Sequence, residues 1–238
     1  MTAGPLAIFD LDRTLHAGSG LGVLARYAFR QRLIGRDRLV RSLAHDMVFR
    51  KRGSTDTHIS SIAELALDMC AGVHVDDLGE VIDDTAAEIA ASVRPAIHAL
   101  LHLHRDAGHT CVLLSASPQQ LIDEIADSLG FHVAIGTRIE TDEGVLTGRI
   151  VPPMCYGLGK LERLEEILGW PGDAARSDGS VPGVATTPGV ATTESSFAYA
   201  DSMSDLPLLE AVDAPFVVSP DRRLRQVAIE RAWPILDA

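Results

Sequence analysis

Five short apolar runs alternate with helical patterns, and this alternation constrains the fold more than any other feature of the chain. The runs are Leu6 to Phe9, Cys111 to Leu114, His132 to Ile135, Phe197 to Ala200 and Phe216 to Val218. Each is too short for a helix and rich in branched or aromatic residues, as buried strands are. One helical pattern starts at Pro95, a favoured first-turn residue, carries an apolar stripe of Ile97, Leu100 and Leu101, and stops at Gly108. Another runs from about Gln119 to Leu129 and stops at Gly130. Strands followed by helices predict an α/β fold, a mostly parallel sheet with helices on both faces. Arg138 to Ile150 reads as a β-hairpin turning at Asp142-Glu143-Gly144.

Two stretches break the alternation. Residues 17–93 read as helices only, with Leu39, Val40, Leu43 and Met47 at helical spacing. This is a helical insertion after the first strand, so the expected domains are a core of 1–16 and 94–238 and a helical cap of 17–93. Gly18-Ser19-Gly20-Leu21-Gly22 reads as a hinge into the cap. Residues 172–196 are rich in Gly, Pro, Ser, Thr and Ala, and Gly183 to Thr187 recurs as Gly189 to Thr193. So short a repeat buries no core, and the stretch reads as a disordered surface loop.

The chain has 238 residues and a formal charge of −12. That balance excludes a general nucleic-acid binder, which needs a cationic footprint. The charge is uneven: from Leu21 to Arg52 nine basic residues face two acidic ones, a local +7. This segment reads as a solvated arginine-rich face, as a lure for an anionic substrate, or as a contact with anionic lipid. Three cysteines without a CxxC pair argue against a disulfide framework. With no signal-peptide pattern and no apolar run of membrane-spanning length, a cytoplasmic protein is expected. Nothing in the sequence specifies an oligomeric state.

The chemistry concentrates at strand ends. Asp10 and Asp12 follow the first strand, and two carboxylates two residues apart project to the same side of an extended chain. Burying both requires a cation nearby or a proton on one of them; the bland alternative is an Asx turn. Ser115 ends the second run, Lys160 stands in Gly157-Leu158-Gly159-Lys160, and Asp201 and Asp205 follow the fourth run. In an open α/β sheet, sites form outside the carboxyl ends of the strands, which puts Asp10, Ser115 and Asp201 on one rim.

Asp-x-Asp-x-Thr, a strand-end Ser, an isolated Lys and Asp-x-x-x-Asp, in this order, resemble the haloacid dehalogenase superfamily of phosphatases. The helical insertion and the ending Val218 to Leu224 are similar to its phosphoserine-phosphatase-like branch. The resemblance implies a Rossmann-like core under an all-helical C1-type cap, and a magnesium-dependent hydrolase of a small phosphomonoester acting through an aspartyl phosphate. It implies Asp10 as nucleophile, Asp12 as acid and base, and Lys160 as the charge joining phosphate and nucleophile. Thr14 would position the turn, and Ser115, Ala116 and Ser204 would line the phosphate site. Magnesium would be held by Asp10, Asp12 (through its backbone carbonyl) and Asp201, with Asp205 behind them. Phosphoserine phosphatases usually carry Glu nine residues after the nucleophile, to grip the ammonium of the substrate. Here that position is Ser19, which argues against phosphoserine itself. Arg13 and Ala200 stand where the family often has Gly. A phosphotransferase or mutase on the same core, and a non-enzymatic phosphate-dependent regulatory module, remain as alternatives.

Other signals have plainer readings. Gly157 to Lys160 lacks the first Gly and the Ser or Thr of a Walker A loop. His98 and His102 are one turn apart but lie off the apolar stripe, on a solvated face. Cys111 reads as core packing. The absence of a Gly-x-Ser-x-Gly elbow leaves Ser–His–Asp hydrolysis without support.

Overall fold

The structure, a computed structural model, describes residues 5–33, 70–170 and 196–238. The cap positions Leu39, Val40, Leu43 and Met47 and nearly all of the 172–196 stretch lie outside the described residues.

The elements are, in chain order, β1 (Leu6–Asp10), α1 (Gly20–Arg30), a short 3-10 turn (Val75–Leu78), α2 (Gly79–Ala91) and α3 (Pro95–Asp106). Then come β2 (Thr110–Pro118), α4 (Gln119–Leu129), β3 (Val133–Asp142), β4 (Val145–Val151) and α5 (Leu158–Leu168). The chain ends with β5 (Ser196–Ala200), a 3-10 turn (Met203–Asp205), α6 (Leu206–Ala211), β6 (Ala214–Val218), α7 (Arg222–Glu230) and β7 (Ile235–Leu236). Each of the five apolar runs coincides with a strand, except that His132 lies just before β3, and each strand extends beyond its run by one or more residues. The hairpin turn lies at Glu143 and Gly144, both with positive φ, as its Asp-Glu-Gly sequence favours. The two-residue β7 was not legible, being too short to show a period.

One sheet runs in the order β4-β3-β2-β1-β5-β6-β7. All pairs are parallel except the β3–β4 hairpin. β1 is central, so water reaches neither face and its sequence is continuously apolar up to Asp10. Its residues divide by alternation. Ala7 and Phe9 join a cluster containing Ile97 and Leu101 of α3 and Leu121 and Ile125 of α4. Leu6 and Ile8 join a second cluster with Leu164 of α5, Leu208 of α6 and Leu224 of α7. The result is a three-layer α/β/α core. The aromatic rings of Phe9, Tyr199 and Phe216 stack across β1, β5 and β6, with centroid separations of 4.6 and 5.1 Å.

Local signals set the helix ends. Gly130 and Gly169 close α4 and α5 in the left-handed conformation, which only glycine adopts without a Cβ penalty. The Asp221 side chain accepts hydrogen bonds from the Arg223 and Leu224 N–H groups and so starts α7.

The insertion begins and ends side by side. A β-bridge joins His16 to Val93, the Arg94 N–H donates to the Leu15 carbonyl at 2.9 Å, and Ser92 Oγ lies 2.8 Å from His16 Nδ1. The glycine-rich hinge is less free than its composition suggests. Ser19 caps α1, and the helix already starts at Gly20. α2, within the segment expected as the cap, buries Ala86 and Ile89 in the same cluster as α3 and α4. No described helix is long and apolar enough to cross a membrane.

Candidate active site

β1 lies between β2 and β5, with Asp10 in register with Leu114 and Phe9 with Tyr199. This pairing brings Asp10, Ser115 and Asp201 together at the carboxyl edge of three adjacent strands. After β1 the chain runs first towards β2 and later crosses to β5, so the strand order reverses there and leaves a crevice. A cavity of about 620 Å³ opens at this place. Its lining includes Asp10, Asp12, Ser115, Ala116, Lys160, Asp201, Ser204 and Asp205, all anticipated from the sequence.

Lys160 organises the floor. Its Nζ lies 2.6 Å from Asp10 Oδ1 and 2.5 Å from Asp205 Oδ1, and all three side chains are buried. The first turn of α5 carries it there. Gly157 takes φ 56° and ψ −126°, a conformation open essentially to glycine. Gly159 packs so closely that a Cβ would overlap the Met154 carbonyl oxygen. The glycines around Lys160 therefore serve to bring α5 in tightly, not to cradle a phosphate. Burial alone would pull the lysine down, but the two carboxylates outweigh it and hold Lys160 above its ordinary pKa, fully charged.

One lysine does not neutralise the carboxylates. Burial pushes Asp10 up to about 8, against the lowering effect of Lys160. Burial likewise raises Asp201 to about 7, against the ion pair with Arg13. Each of Asp10, Asp201 and Asp205 offers an oxygen, and these oxygens lie within 4.8 Å of one another. A cluster of hard, buried, under-neutralised oxygen donors fits a hard divalent cation such as magnesium. In this geometry Asp205 shares the cluster with Asp10 and Asp201. The Asp12 carboxylate lies outside the cluster, where its Oδ1 accepts the Gly20 N–H at 2.7 Å. Burial raises the Asp12 pKa despite that bond.

The remaining residues divide. Ser115 is buried at the edge of the cavity, and its Oγ accepts the Ser117 N–H at 3.2 Å. Ser204 pairs with Ser202, whose hydroxyl also reaches Asp205 Oδ2 at 3.3 Å. Thr14 is fully buried beneath the turn, away from the cavity lining. Ser19, exposed, lines the cavity from its place just before α1. His98 is half-buried and His102 exposed, with ring centroids 4.6 Å apart. Burial pushes the Cys111 and Cys155 thiols up to about 11 and about 12, which leaves both unreactive.

Sequence reasoning missed three features. Arg13 takes φ 62°, a left-handed conformation, and its Nε reaches Asp201 Oδ2 at 2.9 Å. A signal existed, because the family often has Gly there, but the ion pair spans almost the whole chain. Ser117 borders the cavity, as its spacing from Ser115 along one strand face could have indicated. Met154 and Tyr156 also line it, without any signal in the sequence.

A model of the haloacid dehalogenase-like hydrolase family matches residues 7–210, so the chain belongs to that family. Its relatives include a "Probable phosphatase" of Mycobacterium tuberculosis, 32% identical over 97% of this chain and 74% of that protein. A phosphoserine phosphatase of the same organism is 33% identical over 97% and 70%. A histidinol-phosphatase of Neisseria meningitidis is 27% identical over 98% of each chain. Among solved structures, a Bordetella pertussis protein of unknown function superposes with a TM-score of 0.76 at 27% identity, covering 99% of each chain. Within its family the chain is of the phosphatase kind.

Proposed function

We propose that the protein is a magnesium-dependent phosphatase that hydrolyses a small phosphomonoester through an aspartyl phosphate on Asp10. The observation that carries this reading is Lys160 Nζ held between Asp10 and Asp205 at the carboxyl edge of β1, β2 and β5. A carboxylate held against an ammonium at a crevice suits attack on a dianion, because the lysine draws the phosphoryl oxygens to the nucleophile.

In the first step an Asp10 oxygen forms a bond to phosphorus and the ester P–O bond breaks. Asp12 donates its proton to the departing oxygen, and the burial that raises its pKa favours the protonated form this step needs. In the second step Asp12 takes a proton from water as the water oxygen attacks phosphorus. Inorganic phosphate leaves and the Asp10 carboxylate is restored. Ser115 and Lys160 hold the phosphoryl oxygens in both steps. Asp10, Asp201 and Asp205, with the Asp12 backbone carbonyl, would hold magnesium, which when bound supplies positive charge between the carboxylates and the phosphate. Thr14, from beneath, would keep the Asp10–Asp12 turn in shape.

A panel of phosphomonoesters assayed with and without magnesium tests the reading. Release of inorganic phosphate that Asp10→Asn and excess chelator each abolish is the expected result. Activity surviving in chelator sinks the metal-dependent mechanism, and transfer of phosphate to an added alcohol in place of water points to a phosphotransferase. A phosphorylated amino alcohol bound through Glu at position 19 is not available to this chain, since that position is Ser19.

A further inference from the structure

Ser117 is buried, 4% exposed, and its hydroxyl has no hydrogen-bond partner among the described residues. Seven described side chains have a buried polar atom in that condition, and Ser117 alone among them also borders the cavity. A buried hydroxyl without a partner is costly, so its retention at a cavity edge points to a partner that arrives with the occupant.

Its position says which part of the occupant. Ser115 and Ser117 lie at the end of β2, where its pairing with β3 shifts register, and both are buried while Ala116 between them is less so. β1 and β2 are parallel, with Asp10 level with Leu114. The inner layer at the strand ends therefore holds Asp10 and, one position on, Ser115, while Asp12 and Ser117 follow further out. Gly20 confirms that these two share a neighbourhood. A Cβ placed on it would lie 3.2 Å from Asp12 Oδ1 and 3.4 Å from Ser117 Oγ. Having no side chain, Gly20 keeps the space between them open, and its N–H occupies one oxygen of Asp12 at 2.7 Å.

We infer that Ser117 is a specificity-determining residue whose hydroxyl hydrogen-bonds a polar substituent of the leaving alcohol, beside the ester oxygen that Asp12 protonates. The favoured substrates are thus phosphomonoesters of alcohols that carry a further hydroxyl or amine near the ester, over those of phenols. This deepens the phosphatase reading and rests on it. The backbone of Ser117 has a separate task, since its N–H donates to Ser115 Oγ and leaves the Ser115 proton free for a phosphoryl oxygen.

The test compares wild type with Ser117→Ala on glycerol phosphate, phosphoethanolamine and phenyl phosphate, each with magnesium. Removal of one hydrogen bond to the leaving group should lower the ratio of kcat/KM on the two polar esters to that on phenyl phosphate by about tenfold. Inhibition by inorganic phosphate, which occupies only the inner layer, should change much less than that ratio. If the alanine variant melts early, Ser117→Cys, of similar volume, gives the same comparison. An unchanged ratio overturns the inference while leaving the phosphatase reading intact. A wild type that hydrolyses no phosphomonoester removes that reading and this inference with it.

Discussion

Arg13 Nε lies 2.9 Å from Asp201 Oδ2, so a residue adjacent to the proposed acid–base group holds an oxygen of a proposed metal ligand nearly two hundred residues later in the chain. The geometry is imposed on Arg13. Its N–H donates to the Gly18 carbonyl at 3.1 Å, its own carbonyl accepts from Arg94 Nη2 at 3.2 Å, and φ is held at 62°.

Arg13→Gly relieves the left-handed conformation and removes a positive charge that competes for Asp201. Magnesium should therefore bind the variant more tightly, by several-fold, in a calorimetric titration at pH 8. The lost ion pair is mostly exposed on the arginine side and contributes no more than about 1 kcal/mol. The relief of backbone strain is of similar size, so the melting temperature in chelator should change by only a few degrees. Weaker magnesium binding would show instead that Arg13 positions Asp201 for the cation.

Lys160→Met leaves Asp10 and Asp205 buried without their shared counter-charge. Breaking a buried pair in this way costs about 3–5 kcal/mol, a drop of roughly ten degrees in melting temperature for a chain of this size. Turnover should be lost at the same time. Magnesium should restore stability more strongly in this variant than in wild type, because the cation then replaces the counter-charge that Asp10 and Asp205 have lost.

Gly159→Ala changes no reacting group, yet the added methyl overlaps the Met154 carbonyl oxygen. Overpacking of this kind costs about 1–3 kcal/mol. Because the next residue is Lys160, a shift of α5 moves Nζ from Asp10. The variant should fold, melt a few degrees lower and lose far more kcat than its stability loss explains. Full activity would show that the turn can yield without moving the lysine.

The cation-free protein should lose stability as pH rises from about 4 to about 8. Asp10 and Asp201, ordinarily near 3.8, stand at about 8 and about 7 in the fold. Across that window the native state holds protons that the unfolded chain releases, so raising the pH favours unfolding. Saturating magnesium should flatten the slope by binding the ionised forms. Denaturant titrations at several pH values, with magnesium and with chelator, provide the check.

His104 works in the opposite sense and away from the site. Its Nε2 lies 2.8 Å from the Tyr199 hydroxyl and its Nδ1 2.8 Å from His109 Nδ1, and burial depresses it from 6.5 to about 4. Between those values the unfolded chain binds the proton that the native ring refuses, so its contribution to stability rises with pH and is lost in acid. The stability difference between wild type and His104→Gln should therefore change between pH 6.5 and 4 with a slope approaching about one proton, and be flat above pH 7.

Much of the core was readable because its signals are local. Alternating apolar strands, Pro95 at a helix start and Gly130 at a helix end each depend on a few neighbouring residues. The elements at the carboxyl edge follow from strand order, which is why Asp10, Ser115 and Asp201 could be placed on one rim. The sequence also determined which groups bear charge and, through the order of its motifs, which family the chain belongs to. Only the tertiary structure decided how those groups divide their tasks. It set Lys160 between two carboxylates, drew Arg13 onto Asp201, turned Asp12 aside to the Gly20 N–H, left the Ser117 hydroxyl waiting beside it, and packed α2 onto the core. Each of these depends on a contact between residues far apart in the chain, where distance and burial, and not the residue type, fix the energy of a charge or a hydroxyl.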